Sequence, residues 1–409
     1  MTEREYDVVV WGATGFTGRL VAEYMYQTYG AGGDVKWAVA GRNASKLAAL
    51  RLEVAGPEAG SIPEIVADSA DEESLRELVE STRVVCTTVG PYAIYGSLLV
   101  RLCAETGTHY CDLTGEINWM RSMAEEYGSS AEASGARIVH NCGFDCIPSD
   151  LGTFYIQNRM QELHGVYAPR VKFRVVKFEG GMSGGTAASA INMMEETARD
   201  PSLRELMADP YALNPPNMPR GDDGADQVNA EYDQDFQQWT APFIMGPVNT
   251  RVVRRTHALL GYPWGKHFRY DEATLTGDGP GGFMRAMMIA GATGLMNAAT
   301  ALGPVRGLIA RAAPSPGEGP SEDVIRNGFF DIELLATHPG DPGLNLKARV
   351  TGDRDPGYGA TSRMIAESAV CLACDELESP AGFVTPAVAM GEKLIDRLVD
   401  KGGMTFSTL

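Results

Sequence analysis

The stretch Asp7-Val-Val-Val-Trp-Gly-Ala-Thr-Gly-Phe-Thr-Gly18 decides the fold of this chain. Its first five residues form a short apolar run, which is typical of a buried strand in a parallel sheet. Glycines follow at positions 12, 15 and 18, and a helical pattern continues to Tyr29. Small residues between a strand and a helix let the backbone approach a pyrophosphate, and the helix N-terminus offers free N–H groups. The stretch therefore predicts a dinucleotide-binding turn.

Strand and helix signals alternate from this turn to about Asp150. Regular alternation of this kind predicts right-handed crossovers and an α/β fold with a Rossmann-type doubly wound parallel sheet. Ser69-x-x-Glu72 resembles a capping box that opens the helix over 72–81. The further strands expected in this sheet are 35–40, 62–67, 83–89, 109–113 and 137–141.

The pattern changes after this point. Val171 to Glu179 alternates as a half-exposed strand does, 329–336 and 345–351 pair naturally as antiparallel strands, and 200–240 is predicted to be irregular. These signals predict an inserted α+β domain with a mixed or antiparallel sheet. We assign residues 1–150 to the dinucleotide-binding domain, 151–355 to a substrate and dimerisation domain of an expected homodimer, and 356–409 to C-terminal helices packing back on the first domain.

The composition of the chain argues against some classes of binding partner and some cellular locations. The net charge is −18, which argues against binding a phosphate backbone, so no nucleic acid is expected. The seven cysteines are odd in number in a large chain, which argues against a secreted disulfide framework. The N-terminus shows no basic region followed by an apolar run, so a cytoplasmic location is expected.

The segment Phe283 to Ala310 has 20 uncharged residues between Arg285 and Arg306, about the length that crosses a bilayer. Its glycines, Asn297 and Pro304 lower both its hydrophobicity and its helix propensity. We therefore expect no membrane span. The segment should pack within or against the second domain, and an exposed side would suit an acyl substrate, a lipid surface or a partner subunit.

The residues expected to contact the cofactor lie at the ends of the first four strands. The second strand ends in Ala-Gly-Arg42, with no acid there to hold a ribose 2′-OH, and Arg42 and Lys46 instead favour NADP over NAD. Asp68 and Ser69 follow the third strand, where an adenine edge is commonly contacted. The full expected set is Gly12, Thr14, Gly15, Phe16, Thr17, Gly18, Arg42, Asn43, Lys46, Asp68, Ser69, Val89, Gly90, Pro91 and Tyr92.

Groups that can handle a proton follow the fourth, fifth and sixth strands. Ligands of open parallel sheets bind outside the carboxyl ends of the strands, so these loops should lie near the nicotinamide. Asp and Thr side chains at such corners also commonly bond to the backbone, so loop capping is the alternative to catalysis for each candidate group. The catalytic candidates are Tyr92, Asp112, Glu116 and Asp145.

Two further motifs are discounted. Tyr262-x-x-x-Lys266 matches the pair of short-chain dehydrogenases, but Pro263 and Gly265 break the helix that this pair requires. Cys371-x-x-Cys374 has metal-like spacing without a second pair of ligands, so it is interpreted as two core thiols and no metal is expected.

The combination of motifs resembles the saccharopine dehydrogenase-like oxidoreductases, in the branch with the trans-acting enoyl reductases and the eukaryotic saccharopine dehydrogenase-like proteins. The resemblance covers essentially the whole chain and implies an NADP-type Rossmann domain built from both chain ends. It does not imply saccharopine as the substrate. The segments that carry it are 12–18, 40–42, 89–92, 110–116, 143–150, 181–186 and 382–387.

Three functions remain open at this point. The first is hydride transfer from NADPH to a C=C or C=N bond of a hydrophobic, acyl or carrier-bound substrate, which Met182, Met193, Met194 and the apolar run suggest unless they are plain core. The second is an enzyme of the semialdehyde dehydrogenase type with Cys142 as its nucleophile, near His140. The third is a non-catalytic NADP-binding scaffold at a lipid surface.

Arg42→Ala is expected to remove a charge-assisted contact to the 2′-phosphate, worth roughly 1.5–3 kcal/mol. NADPH affinity should fall while NADH affinity stays unchanged, as measured by calorimetric titration with both cofactors. Equal affinity of the wild type for the two, unaffected by the substitution, would contradict the assignment.

Overall fold

The computed structural model describes residues 4–181, 184–300 and 318–409. Within these residues the chain forms two sheets of seven strands each, with helices packed around them. The predicted architecture, a Rossmann-type sheet with a second mixed sheet, is confirmed.

The first sheet is parallel throughout, with the order β13-β6-β5-β4-β1-β2-β3. Its central strands are apolar and buried on both faces because helices cover both sides. Its strands are β1 (Tyr6–Trp11), β2 (Trp37–Gly41), β3 (Glu64–Val66), β4 (Thr82–Thr87), β5 (His109–Cys111), β6 (Arg137–Val139) and β13 (Gly382–Val384).

Seven helices accompany the first six strands and the crossing into the second domain. They are α1 (Phe16–Tyr29), α2 (Ala44–Ala55), α3 (Glu72–Ser81), α4 (Tyr92–Tyr95), α5 (Ser97–Thr106), α6 (Ile117–Ser134) and α7 (Ile147–His164). The N-cap of α3 is Asp71, whose side chain accepts from Glu73 N, so the capping box predicted at Ser69 is wrong. Asp71 directly precedes the first turn of α3, whereas Ser69 lies two residues further away, so the carboxylate of Asp71 accepts from the free N–H group there.

The second sheet has the order β14-β12-β11-β7-β10-β9-β8. Only β7 and β10 pair in parallel, and the predicted antiparallel pairing of the segments near 329 and 351 is confirmed. Its strands are β7 (Arg170–Glu179), β8 (Glu231–Asp233), β9 (Gln238–Pro242), β10 (Arg269–Gly277), β11 (Phe329–Thr337), β12 (Leu346–Gly352) and β14 (Met404–Thr408).

The remaining helices are α8 (Gly184–Arg199), α9 (Pro201–Ala208), α10 (Gly246–Leu259), α11 (Gly279–Thr300), α12 (Glu322–Asn327), α13 (Thr361–Cys374), α14 (Pro386–Ala389) and α15 (Gly391–Asp400). The prediction that 200–240 is irregular is wrong in part, since α9, β8 and the start of β9 fall within it. Pairing with β10 organises β9, and a sequence window does not show that partner.

Helix α11 covers the described part of the apolar segment, and residues 301–310 lie outside the described residues. The helix packs on β9 and β10, with Ala286 buried and the Phe283 ring 4.7 Å from that of Trp239. Its outer side exposes Met284, Met288 and other apolar side chains. Across the described ranges, no helix is long and apolar enough to span a membrane.

The C-terminal segments contribute to both sheets. Helix α13 packs on α1, β1, β4 and β5, and β13 pairs with β6, whereas β14 pairs with β12 of the second sheet. The buried carboxylate of Glu367 in α13 accepts from Tyr24 Oη at 2.7 Å and from Tyr29 Oη at 2.6 Å, and lies 3.3 Å from Arg397 Nη1 of α15. This cluster joins the first helix of the chain to two of its last.

Glu367→Leu is expected to lower the free energy of unfolding by about 2 kcal/mol or more, because two tyrosine hydroxyls lose a charged acceptor inside the protein. Urea unfolding followed by circular dichroism measures the change. Glu392→Leu, which alters an exposed carboxylate bonded to Asn158, is the matched control and should change little. A loss for Glu367→Leu no larger than that of the control would show that the cluster does not stabilise the fold.

Candidate active site

The turn between β1 and α1 is held by close backbone packing. Gly12 has φ +84°, and a Cβ atom there would lie 2.5 Å from Val89 Cγ2. A Cβ atom on Gly18 would overlap the carbonyl oxygen of Gly12. Both positions therefore require glycine, so that the helix can start directly against the end of the strand.

Gly15 differs from the other two glycines of the turn. A Cβ atom there would meet only Gly12 O, at 3.3 Å, and the residue is exposed. Gly15 is also the N-cap of α1 and provides no side-chain cap, so no side chain of the described residues accepts from the first N–H groups of the helix. An open glycine at an uncapped helix N-terminus is the arrangement that receives a pyrophosphate. The turn therefore fits a dinucleotide, with Thr14, Phe16 and Thr17 beside it.

The loop after β2 presents two cationic side chains. Arg42 and Lys46 are exposed and make no ion pair with another described residue, whereas the Asn43 side chain accepts from Lys46 N at 3.0 Å and caps α2. After β3, Asp68 accepts from Ala70 N and Ser69 is half-buried. The two cations remain available for a phosphate, while Asn43 already has a structural role.

Glu116 stabilises the loop that follows β4. Its two carboxylate oxygens accept from Tyr92 N at 2.9 Å and Ala93 N at 2.8 Å, which caps the N-terminus of α4. Burial raises the pKa of Glu116, and the two backbone bonds oppose that rise. Gly90 and Pro91 lie at the head of this loop, and a Cβ atom on Gly90 would lie 3.2 Å from Ser189 Oγ of α8. The second domain therefore covers this edge of the first sheet.

Tyr92 and Asp112 are both buried and hydrogen-bonded. Tyr92 Oη accepts from Leu113 N at 3.2 Å, and burial with Asp112 nearby raises the pKa of the phenol well above its usual value. Asp112 accepts from the Tyr110 hydroxyl at 2.8 Å and from the backbone N–H groups of Thr114 and Asn141. His140 Nδ1 lies 2.7 Å from Asp112 Oδ2. The bonding capacity of this carboxylate is used within the protein.

Asp145 stands apart from the other three candidates. It lies in the tight loop between β6 and α7, next to Cys146, which has φ +102°. Its side chain is half-buried and forms no hydrogen bond or ion pair with another described residue. Burial raises the pKa of Asp145 to about 6. An accessible carboxyl with a raised pKa and no partner can bind and release a proton near neutral pH.

Cys142 lies in different surroundings from those of an activated thiol. It is fully buried, and its thiol lies against the carbonyl oxygens of Val139 and His140 and the thiol of Cys111. His140 is near Cys142 along the chain but does not face its thiol. Asn141, with φ +63°, turns the chain, so that His140 packs on Trp119 while Cys142 joins the core on the other side of the sheet.

A contact that the sequence did not indicate covers the start of α1. The Phe16 ring meets the Tyr358 ring edge-on at 5.2 Å, and a Cβ atom on Gly319 would overlap the Phe16 ring. Asp355 holds this loop, because its carboxylate accepts from the N–H groups of Gly181, Gly357, Tyr358 and Gly359. Asp355-Pro-Gly-Tyr-Gly is a turn signal in the sequence, but its partner Phe16 is far away along the chain.

The chain is similar to known proteins over nearly its whole length. The family model described as "Saccharopine dehydrogenase NADP binding domain" matches residues 8–139. A protein of Mycobacterium tuberculosis (strain ATCC 25618 / H37Rv), described provisionally as a trans-acting enoyl reductase, is 40% identical over 98% of this chain and 97% of its own. The trans-acting enoyl reductase of Mycobacterium bovis (strain BCG / Pasteur 1173P2) is 35% identical over the same shares.

Among solved structures, the apo saccharopine dehydrogenase (L-Glu forming) of Saccharomyces cerevisiae matches 98% of this chain and 99% of its own, with a TM-score of 0.52 and 14% identity. That likeness concerns the fold. The sequence relatives and the matching cofactor domain establish the family. The chain belongs to the saccharopine dehydrogenase-like NADP-dependent oxidoreductases, in the branch of the trans-acting enoyl reductases.

Proposed function

We propose that this enzyme reduces the C=C bond of an acyl substrate with NADPH, and that Asp145 delivers the proton. The relatives named enoyl reductases suggest the type of bond, and a C=N bond is the alternative that the fold relative suggests. The observation that supports the proposal most directly is that the Asp145 carboxyl has a raised pKa and no hydrogen-bond partner in the described part of the chain. Of the four candidate groups, it is the one without a hydrogen-bond partner in the described part of the chain.

The first domain supplies the binding of the cofactor. The N–H groups at the start of α1 would hold the pyrophosphate, and Arg42 and Lys46 would hold the 2′-phosphate. NADPH, when bound, supplies the hydride. The other groups at this edge, Glu116 above all, keep the loops in place by capping them.

The proton step is assigned to Asp145. When a hydride adds to the β-carbon of an enoyl thioester, the electron pair of the double bond moves to the α-carbon side and must take up a proton. The protonated carboxyl of Asp145 provides that proton through its O–H bond and is left as a carboxylate, which solvent reprotonates. A pKa of about 6 keeps a useful fraction of the acid form near neutral pH.

The apolar outer side of α11 is the proposed contact for the hydrophobic part of the substrate or for its carrier, with a lipid surface or a partner subunit as the alternatives. Met284, Met287 and Met288 are each more than half exposed. Flexible methionine surfaces adapt to varied apolar ligands. Homodimer formation through the second domain remains part of the proposal.

The two other functions are less well supported. A thiol nucleophile needs an adjacent base and access, and Cys142 has neither. A non-catalytic scaffold would leave the unpartnered Asp145 without a role. The deciding assay is NADPH oxidation with a 2-enoyl thioester and with a 2-oxoacid plus an amine. Turnover of the thioester supports the proposal, turnover with the oxoacid and amine alone supports the C=N alternative, and absence of both with intact NADPH binding supports the scaffold.

Gly15→Val is expected to abolish NADPH binding while leaving the fold intact. The branched side chain fills the approach to the helix N-terminus but meets little of the protein. Calorimetric titration and circular dichroism together measure the result. Gly128→Val, at a helical glycine with nothing within 4 Å of its Cβ position, is the control and should bind normally. Retained binding in Gly15→Val would place the pyrophosphate elsewhere.

Asp145→Asn is expected to lower kcat by about 10²–10⁴-fold with little change in NADPH affinity. The wild-type rate should fall as pH rises above about 6, because the acid form is the proton donor. Absorbance of NADPH follows the reaction, and Asp341→Asn, at an exposed loop, is the control. A pH-independent wild-type rate, or full activity of Asp145→Asn, would remove this residue from the mechanism.

A further inference from the structure

The loop between β6 and α7 places Asp145 at the centre of a tight turn. The N–H group of Cys146 donates to the carbonyl oxygen of Phe144 at 2.9 Å, so the hydrogen-bonded ring encloses Asp145 alone. Cys146 then has φ +102° and ψ −34°, a backbone conformation that glycine adopts more readily than any other residue. Another residue keeps such a conformation only where surrounding contacts enforce it. The direction of the Asp145 side chain therefore depends on what holds Cys146.

Asn249 of α10 provides a contact that holds Cys146. The Cys146 thiol is fully buried, and its Sγ lies 3.2 Å from Asn249 Oδ1. Burial raises the pKa of this thiol well above its usual value, so the sulfur keeps its proton and acts as the donor. The bond joins a helix of the second domain to the residue that follows Asp145, 103 residues earlier in the chain.

The side-chain amide of Asn249 is fixed on its other side as well. Its Nδ2 group donates to Ser149 Oγ and to Glu272 Oε2, each at 3.0 Å. Glu272 lies on β10, and its Oε1 accepts from the Tyr270 hydroxyl at 2.7 Å. All four side chains are buried. With the amino group facing these two acceptors, the amide oxygen faces the thiol, and rotation of the amide would break bonds at both ends.

The residue on the other side of Asp145 is also held by a distant part of the chain. Phe144 N donates to the hydroxyl of Thr361, at the start of α13, at 2.9 Å. The Asp145 carboxyl itself has no hydrogen-bond partner within the described ranges. Its position is therefore set through its two neighbours, one held from α13 and the other from α10.

On the basis of the proposed function, in which Asp145 donates the proton, we propose that Asn249 is a positioning residue. It holds Cys146 at its positive φ and so directs the Asp145 carboxyl toward the substrate. Proton transfer requires the donor within hydrogen-bonding reach of the reacting atom, and a misplacement of about 1 Å can lower a rate by roughly a hundredfold. Asn249 and Glu272 belong to the second domain, which would thereby set the geometry of the proton step at the edge of the first sheet.

Asn249→Leu keeps the approximate size of the side chain and removes both of its polar groups. It is expected to lower kcat by roughly 10- to 100-fold with little change in NADPH affinity. NADPH oxidation with the 2-enoyl thioester measures the rate, and calorimetric titration measures the affinity. Thr250→Val is the matched control, because it removes buried hydrogen bonds to Asp226 and to Gly246 O from the next residue of the same helix. Its kcat should stay unchanged even where its Tm falls.

Variants of Cys146 separate the hydrogen bond from the packing of the side chain. Cys146→Ser keeps a donor for Asn249 and should retain most of the activity, whereas Cys146→Ala should resemble Asn249→Leu. Cys146→Ala combined with Asn249→Leu should lower kcat no further than the single substitutions do, because both remove the same contact. In an Asp145→Asn background, Asn249→Leu should have no additional effect on kcat. A loss of kcat in that background as large as in the wild type would overturn the positioning role.

Crystal structures of the wild type and of Asn249→Leu test the positioning without the reaction. A negative φ at Cys146 or a displaced Asp145 carboxyl in the variant supports the proposal, and a loop unchanged from the wild type overturns it. Cys146→Ala takes the place of Asn249→Leu where the latter fails to fold. The kinetic results separate the two assignments. Full activity of Asp145→Asn overturns both, whereas a wild-type kcat of Asn249→Leu beside an impaired Asp145→Asn overturns only the role of Asn249.

Discussion

The close approach of α1 to β1 is the constraint on which the rest of the structure depends. Gly12 and Gly18 have no room for a side chain, so the helix starts directly at the end of the strand. This position points the uncapped N-terminus of α1 at the cofactor edge of the sheet and places Phe16 where Tyr358, near the start of the C-terminal segment, meets it. The same helix carries Tyr24 and Tyr29 to Glu367. One backbone contact therefore positions the cofactor turn, the Phe16–Tyr358 contact and the tyrosines that anchor the C-terminal helices.

The sequence predicted the first sheet well, because its signals are local. Each strand is an apolar run followed by a turn and an amphipathic helix, and such units are read within about thirty residues. The second sheet was predicted only in part. Its strands β9 and β10 are stabilised by pairing with partners distant along the chain, and β10 contains Asp271 and Glu272, whose carboxylates accept from Arg174 and Asn249, which are also distant in sequence. A sequence window shows these two acidic residues but not the groups that donate to them.

The candidate active site also combines features that the local sequence predicts with features that depend on tertiary contacts. The glycine turn and the two cations after β2 follow from residue type and position, so they could be predicted. Asp112 and Asp145 both follow strands of the first sheet and look equivalent in the sequence. The structure separates them, because Asp112 accepts from four neighbours whereas Asp145 has none within the described ranges. The chemical role of a carboxyl depends on what surrounds it, and those surroundings come from β5, β6 and α7 packing together.

The buried charged groups of this protein differ in whether the surrounding residues satisfy them. Glu367 is enclosed and satisfied by two hydroxyls and Arg397, so it behaves as part of the core. Asp145 and Arg255 have no ion-pair partner within the described residues, and burial raises the pKa of Asp145 to about 6 and lowers that of Arg255 to about 10. Desolvation of an unpaired group lowers stability, and a protein keeps such a group where a ligand or a reaction supplies what is missing. Glu367 and Asp145 therefore show two uses of a carboxyl group in one protein. The satisfied carboxylate joins the first helix of the chain to two of its last, and the unpaired one is the group that we assign to proton transfer.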